Sequence, residues 1–339
     1  MKKISLIVLS ILLVVILAAC GANNNNSSSD NTSSISKSSG TSSVTDASQS
    51  ASTSAENAKR TLYPLTETDA TGKKITFVKA PEKIVSTSPS ETEILFALGL
   101  ADRIVGVSKS DNFPKEVESK AKIGSTTTPN AEAIVATGAD LVVTGISIKD
   151  TALENLRTLG LNVICSDPKN LNDVLNEILF LGRITDKQKE AEALVAQMKA
   201  DIKKVTDVAA TIKLEKKKKV YIEFSPGWTV GSGEFMNELI TLSGGLNIAS
   251  DVKGWIQIDE EKIIKDNPDV IIYTLDKVDK EGKKLEDLIH GRTGWRDITA
   301  IKTEQVIGLN GDVLSRPGPR ITQALLGIAN AIYPDLYKK

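Results

Sequence analysis

Two segments of the chain repeat one pattern. Residues 130–143 are NAEAIVATGADLVV, and residues 259–272 are DEEKIIKDNPDVII. Each begins with Asn or Asp and has Glu two residues later, followed by two adjacent β-branched residues and, further on, by Asp and three aliphatic residues. This pattern predicts a helix followed by a strand, with Asn130 and Asp259 as helix N-caps. A chain that carries the same unit in both halves is expected to fold into two similar lobes.

Short apolar strands alternate with helical patterns around both copies of the unit. KIVSTS at residues 83–88 predicts a strand, and ETEILFALGL at residues 91–100 predicts a helix. KKVYIEFSP at residues 218–226 starts a second alternation of the same kind. Such alternation is typical of parallel sheets that are covered by helices. We therefore predict an α/β fold of two lobes, each with a mainly parallel sheet flanked by helices, joined by one long helix.

Composition and pattern divide the chain into five parts. The linking segment has apolar residues at helical spacing from Leu171 onward, and GRITD at residues 182–186 is a place where its helix can break. The predicted parts are a signal peptide (1–19), a lipidated Cys with a disordered Ser/Asn-rich tether (20–59), an N-terminal lobe (60–168), the linking helix (169–215) and a C-terminal lobe (216–339).

The N-terminus has the organisation of a secretory signal. Lys2 and Lys3 precede an apolar run at residues 4–17, and two small residues precede Cys20. The LAAC sequence resembles a lipobox, the site at which bacterial lipoproteins are cleaved and acylated. An ordinary signal peptide with an unrelated cysteine is the alternative. The prediction is a protein anchored to the cell membrane through Cys20 on its extracytoplasmic face, at a Gram-positive type surface or in a Gram-negative periplasm.

Composition argues against several classes of function. The net charge is −1, so nothing indicates a nucleic-acid partner. His290 is the only histidine, and Cys165, in a predicted strand, is expected to be a buried small hydrophobe. We therefore expect no protein-bound metal, no cofactor and no enzymatic activity. A surface hydrolase and an adhesive lipoprotein are the alternatives from other classes.

Aromatic residues are scarce, and two of the three tryptophans stand in predicted loops. Trp228 follows a Ser-Pro turn, and Trp255 follows Gly254. Loops after strand ends are where open α/β sheets bind ligands, so both rings are candidates for ligand stacking, with loop packing as the alternative. Arg316 is a candidate for binding an anionic ligand group, alone or with Arg320, unless it forms a surface ion pair. Trp295 is expected to be structural.

The repeated unit also places Glu132 and Glu261 in matching first helical turns. A carboxylate there is favoured by the helix dipole, which is sufficient to explain a single occurrence. Two occurrences at equivalent positions of two lobes instead predict a pair of anionic groups that a pseudo-symmetric partner can bind.

Four motifs in order, SPSETEILFALGL, PNAEAIV, GGLNIASD and RPGPRI, carry a family resemblance. With the lipobox and the two lobes, they resemble the substrate-binding lipoproteins of ABC importers, in the subgroup with a rigid linking helix that carries vitamin B12, ferric siderophores or haem. The resemblance covers residues 60–334. It implies a monomer whose Glu132 and Glu261 dock onto arginines of a permease dimer. Glu93 and Glu238 occupy equivalent positions and are the fallback candidates.

Within that family, the segment NELITLSGGLNIASDVKGWIQIDEEKI is most similar to vitamin B12 binders. Trp255 stands where those proteins have a tryptophan that covers the corrin ring. Thr126 stands near a first-lobe tryptophan of the best-known members, and Phe113 is the candidate that replaces part of the missing aromatic clamp. The resemblance implies a cobalamin-like ligand, with a ferric siderophore as the main alternative. Haem is disfavoured because it usually needs a protein ligand such as His, and His290 has no evident place at the cleft.

Overall fold

The computed structural model describes residues 60–337, all of which fall within one compact unit. The predicted signal peptide, Cys20 and the tether lie outside the described residues. Two parallel sheets, one in each half of the described chain, organise the structure.

The first lobe is built on a five-stranded parallel sheet, preceded by an antiparallel hairpin. The hairpin consists of β1 (Leu65–Thr68) and β2 (Lys74–Phe77), and the sheet of β3 (Ile84–Ser86), β4 (Ile104–Val107), β5 (Ala121–Lys122), β6 (Leu141–Gly145) and β7 (Val163–Ser166). The sheet order is β5-β4-β3-β6-β7. Its helices are α1 (Pro89–Ala97), α2 (Ala131–Ala136) and α3 (Asp150–Thr158), with 3-10 turns at Ala101–Arg103 and Lys115–Ser119. All residues of β6 are buried, as expected for a parallel strand covered on both faces.

The linking segment contains two helices, α4 (Leu171–Ile184) and α5 (Gln188–Ala209), so the predicted linking helix is interrupted, as the sequence allows. The break lies at GRITD. Asp186 has a φ of 58°, in the left-handed region that ends helices. Its carboxylate accepts hydrogen bonds from the Arg60 side chain and from the backbone N–H of Thr61. A Cβ on Gly182 would lie 2.5 Å from the Cβ of Ala191, so glycine permits the close approach of α5.

The second lobe is built on a four-stranded parallel sheet of order β10-β8-β12-β13 and a two-stranded antiparallel ribbon. Its strands are β8 (Lys219–Glu223), β9 (Trp228–Val230), β10 (Leu246–Asn247), β11 (Trp255–Gln257), β12 (Val270–Thr274) and β13 (Val306–Leu309). Its helices are α6 (Phe235–Leu242), α7 (Glu260–Asp266), α8 (Leu285–Gly291), α9 (Thr299–Lys302), α10 (Gly311–Ser315), α11 (Ile321–Ile332) and α12 (Pro334–Tyr337), with 3-10 turns at Leu214–Lys216 and Trp295–Asp297.

The repeated unit folds as predicted, into α2–β6 in the first lobe and α7–β12 in the second. The Asn130 side chain accepts the backbone N–H of Ala133, and that of Asp259 accepts the backbone N–H of Glu261. These bonds satisfy N–H groups that a helix start otherwise leaves unpaired.

One hydrophobic core cluster runs through both lobes. It includes Ile84 of the first sheet, Val195 of α5 and Ile272 of the second sheet. Two smaller clusters cover the outer faces of the sheets, one in each lobe. The two lobes are therefore joined by continuous apolar packing as well as by the chain.

Candidate functional site

A cleft cavity of about 210 Å³ is lined by residues of both lobes. On the first lobe its wall follows the carboxyl ends of β3, β6 and β7, the edge at which parallel sheets usually bind ligands. The first lobe contributes Ser88, Ser90, Glu91, Gly145, Ile146, Ser147, Ser166, Asp167, Pro168 and Lys169, and the second contributes Glu234, Phe235, Trp255, Ser315 and Pro317. A larger hollow of about 880 Å³ lies mainly on the second lobe, near the chain end, and is lined by Lys213, Lys216 and Lys218 among others. The cleft is the better candidate because both lobes and an aromatic ring form it.

Trp255 is the aromatic group of the cleft wall. Its ring is held edge-on against Phe224, with 5.0 Å between ring centroids, and tilted against Phe235 at 5.6 Å. The residue is nevertheless 37% exposed. Two aromatic neighbours thus fix the ring, and part of its surface remains free to contact a ligand.

Trp228 and Trp255 begin strands β9 and β11, so the prediction that both lie in loops is wrong. The two strands pair antiparallel, with Trp255 opposite Val230 and Gln257 opposite Trp228. The two tryptophans are therefore diagonal neighbours on one face of the ribbon. The strands are not evident from the sequence, because each has three residues and is defined only by its distant partner. Trp228 is also 37% exposed but is not part of the cavity wall.

Arg316 and Arg320 of the second lobe contact Glu93 of the first. Arg320 donates to both Glu93 oxygens, at 2.6 and 2.8 Å, and Arg316 donates to one at 3.0 Å. Arg316 also donates to Asn112 across the cleft and to Asp312 in its own lobe. A ligand carboxylate would have to displace Glu93 to reach Arg316, so the predicted ligand role of Arg316 competes with an interlobe contact.

The other predicted first-lobe contacts lie apart from the cavity wall. The Phe113 ring lies 4.0 Å from the guanidinium carbon of Arg320, a cation–π contact that adds to the interlobe network, and it is 44% exposed. Thr126 is half-buried in the loop between β5 and α2. Neither residue is among those that line the cleft cavity.

The predicted docking residues Glu132 and Glu261 are both exposed. Short connections join their helices to β6 and β12, so each helix starts near the carboxyl edge of its own sheet. The fallback candidates are placed differently. Glu93 is 3% exposed and paired with arginines, and the Glu238 carboxylate accepts the backbone N–H of Leu171 at 2.6 Å. Burial and pairing thus remove Glu93 from the surface that a permease could contact.

Two buried carboxyl groups interact here: Glu91 in the cleft wall, and Glu177 on α4, which is not among the residues that line the cleft. Burial raises the pKa of Glu91 to about 7, partly offset by the hydroxyl of Ser88. The pKa of Glu177 is raised to about 8, mainly by burial and also by the neighbouring charge of Glu91, while the hydrogen bond that it accepts from Ser166 offsets part of the rise. Each of these carboxyls makes ionisation of the other less favourable.

Most of the first-lobe wall, including Ser88, Glu91 and Gly145, is not predicted from the sequence. A signal was present, because SPSE directly follows a buried strand, and polar residues there face the binding edge of a parallel sheet. The adjacent Glu93 was noticed because it has a counterpart in the second half, whereas the position of Glu91 has none.

Trp295 and Cys165 are both buried, as the sequence predicts. Trp295 is 1% exposed and packs edge-on against Tyr221, and Cys165 is a free, buried thiol. His290 is exposed on α8, away from the cleft wall. Among residues 60–337, no cluster of potential metal ligands is found. Over the same residues, no helix has the length and apolar character needed to cross a membrane.

The chain is similar to several known proteins. Residues 84–313 match the model of the family described as periplasmic binding protein. The chain is 36% identical to the uncharacterized ABC transporter substrate-binding lipoprotein YvrC of Bacillus subtilis (strain 168), over 83% of this chain and 89% of that protein. It is 28% identical to a cobalamin-binding protein of Halobacterium salinarum, over 80% of this chain and 74% of that one. A crystal structure from Staphylococcus epidermidis ATCC 12228, described as a possible iron-binding (periplasmic solute-binding) protein, is 32% identical with a TM-score of 0.64, covering 75% of this chain and 100% of that chain.

Proposed function

The chain belongs to the periplasmic binding protein family, and on that premise we propose that it captures a cobalamin-like or iron-chelate ligand between its lobes and delivers it to an ABC permease. The cleft is the observation that carries this proposal. Its wall joins polar groups from the first lobe to the Trp255 ring from the second. This combination of an exposed aromatic ring and several polar groups suits a ligand that has an apolar face and polar edges.

A cobalamin-like molecule is the ligand that we favour. Trp255 offers a fixed, partly exposed aromatic surface, which suits a macrocycle. The similarity to the cobalamin-binding protein of H. salinarum supports the same choice. The similarity to the iron-binding protein of S. epidermidis supports a ferric siderophore as the second candidate.

Glu132 and Glu261 are the proposed docking residues for the permease. They are exposed, they occupy the same position of the repeated unit, and they lie at the carboxyl edges of the two sheets. Acylation of Cys20 is the proposed anchor, which agrees with the lipoprotein character of the relative from B. subtilis. A hydrolytic or adhesive function is not favoured, because the family consists of transport proteins.

Ligand titration of the full-length protein tests the proposal. Adding cyanocobalamin is expected to quench tryptophan fluorescence after correction for inner-filter absorption. Trp255→Ala is expected to weaken binding about 10-fold, a loss of about 1.4 kcal/mol. Trp255→Phe, which keeps an aromatic plane, should retain most of the affinity. If a ferric siderophore saturates the response and cyanocobalamin gives none, the ligand is a siderophore rather than cobalamin. The function as a substrate-binding protein would still hold.

The anchor is tested separately. Cys20→Ser is expected to release the protein from membranes or to block its processing, because the acylated side chain is lost. Cell fractionation and the mass of the mature chain report these outcomes, with Cys165→Ser as the control. Normal processing and full membrane retention of the Cys20→Ser protein would exclude acylation of Cys20 as the anchor.

A further inference from the structure

Glu91 is a buried acidic residue that the proposed function does not yet use. It lies in the first turn of α1, is 2% exposed and forms part of the cleft wall. Its Oε2 atom is buried and has no hydrogen-bond partner among the described residues. A buried carboxyl oxygen without a partner is costly, so its position at a binding cleft suggests that the ligand supplies the missing donor.

Gly145 keeps this carboxyl group open to the cleft. A Cβ on Gly145 would lie 3.3 and 3.5 Å from the two carboxyl oxygens of Glu91, and 2.9 Å from the Ser88 hydroxyl. Gly145 does not have a positive φ, so the backbone does not require glycine there. Because glycine has no side chain, it leaves a space next to the Glu91 carboxyl group. Both residues line the cavity, so this space is open to a ligand.

The groups around Glu91 determine which ligand chemistry suits it. The titratable groups that face it are acidic or neutral: Glu93 on its own helix, Asp111 after β4, Cys165 on β7 and Glu177 on α4. The nearby arginines Arg316 and Arg320 are paired with Glu93. Lys122 donates to the Asp111 backbone carbonyl, and Lys169 pairs with Asp167 and Glu234. An anionic ligand group would meet several acids here, whereas an N–H donor would be stabilised.

We propose that Glu91 and the space beside Gly145 form a ligand subsite that accepts an N–H donor, either a neutral carboxamide or a cationic group, and rejects anionic groups. The inference rests on the proposed function and refines it, because it sorts the candidate ligands by charge. Amide-bearing and cationic ligands fit the cleft, and anionic iron chelates do not.

Calorimetric titrations of the full-length protein with three probes test the subsite. The probes are cyanocobalamin, which carries neutral carboxamides, ferrioxamine B, a cationic iron chelate, and ferric enterobactin, an anionic one. For wild type we expect the anionic probe to bind at least 10-fold more weakly than the best of the others. From pH 6 to pH 8.5, the affinity for each bound amide or cationic probe should rise at least threefold as the carboxyl group ionises.

Glu91→Gln removes the charge and preserves the shape of the side chain. It should abolish the rise in affinity with pH and reduce any discrimination against the anionic probe about 10-fold. Gly145→Ala leaves the charge in place but fills the space, and should weaken binding of the amide or cationic probe about 10-fold. Glu190→Gln, the same change in the first turn of α5 outside the cleft wall, is the control and should behave as wild type.

The possible results distinguish failure of the proposed binding function from failure of the Glu91 subsite alone. If wild type binds none of the three probes, the proposed function fails and the subsite fails with it. If wild type binds ferric enterobactin best, or if Glu91→Gln and Gly145→Ala both leave affinity and its pH dependence unchanged, the subsite is wrong while the binding function stands. Melting curves for each variant show that the comparison is made between folded proteins.

Discussion

Glu177 shows how a single buried residue links stability to pH. Its carboxyl group lies on linking helix α4, close to Glu91, and burial raises its pKa to about 8. In the unfolded chain a glutamate has its ordinary pKa near 4.3. Between these values the folded protein holds protons that the unfolded chain has lost, so the free energy of unfolding falls as pH rises.

Urea unfolding of wild type and Glu177→Gln, measured from pH 5 to pH 8, checks this sign. Wild type should lose more than about 1.4 kcal/mol across the range, the equivalent of one pKa unit for one group. Glu177→Gln should lose less, because one of the two carboxyl groups with a raised pKa is gone. Glu118→Gln, at an exposed site, should follow wild type. Equal slopes for Glu177→Gln and wild type would contradict the assignment.

Residue types identify some site residues from the sequence and not others. Trp255 was found because a large aromatic next to glycine is conspicuous in a chain with 4% aromatic residues. Glu91 and Gly145 were missed, since a first-turn Glu and a strand-end Gly are common. Their role depends on the close approach of β6 to α1 in the folded protein, which cannot be predicted from the local sequence. The interlobe role of Arg316 and Arg320 was missed for the same reason, because Glu93 is more than two hundred residues away in the chain.

At the scale of elements, the helix starts of α2 and α7 carry the docking prediction. Glu132→Lys with Glu261→Lys should abolish uptake through the cognate permease and leave the Kd for the ligand unchanged, because both residues are exposed and outside the cleft wall. Each reversal also opposes the helix dipole, at a cost of up to about 1 kcal/mol. Transport of labelled ligand into cells, with a melting curve for the double variant, is the measurement.

A matched control is available for that experiment. Glu118→Lys with Glu281→Lys makes the same charge change at two exposed sites, one in each lobe. This control should keep normal uptake. If both double variants lose uptake equally, the effect is one of net charge, and if the docking variant transports normally, Glu132 and Glu261 do not bind the permease.

The elements that could be predicted are those that local sequence determines. The buried strands β6 and β12 are continuous aliphatic runs, and each follows a capped helix at a fixed spacing. Ribbon strands β9 and β11 depend on each other across the chain, and no local pattern marks them. The break between α4 and α5 is an intermediate case. Gly182 indicates where it can occur, but the contacts of Asp186 with Arg60 and Thr61, which are distant in sequence, stabilise it.

At the scale of the whole molecule, three features restrict movement of the lobes. Helix α5 has 22 residues, so it spans about 33 Å as a single rigid element. One hydrophobic cluster includes residues of both lobes and of both linking helices. Glu93 joins the first lobe to two arginines of the second. We therefore expect small-angle scattering curves of free and ligand-bound protein to nearly superimpose, and a large fall in the radius of gyration on binding would contradict this.

Glu93→Gln tests how much the interlobe ion pairs restrict lobe movement, compared with helix α5 and the shared hydrophobic cluster. The change leaves Arg316 and Arg320, 11% and 15% exposed, without a charged partner on the first lobe. Loss of one partner of a buried pair costs about 3–5 kcal/mol. Glu223→Gln is the matched control, because Glu223 pairs with Arg292 within the second lobe alone and is fully buried. Both variants should melt at lower temperature, but only Glu93→Gln should make the scattering of the free protein differ from that of the bound form. If the two variants scatter alike, the core and α5 hold the lobes without the ion pairs.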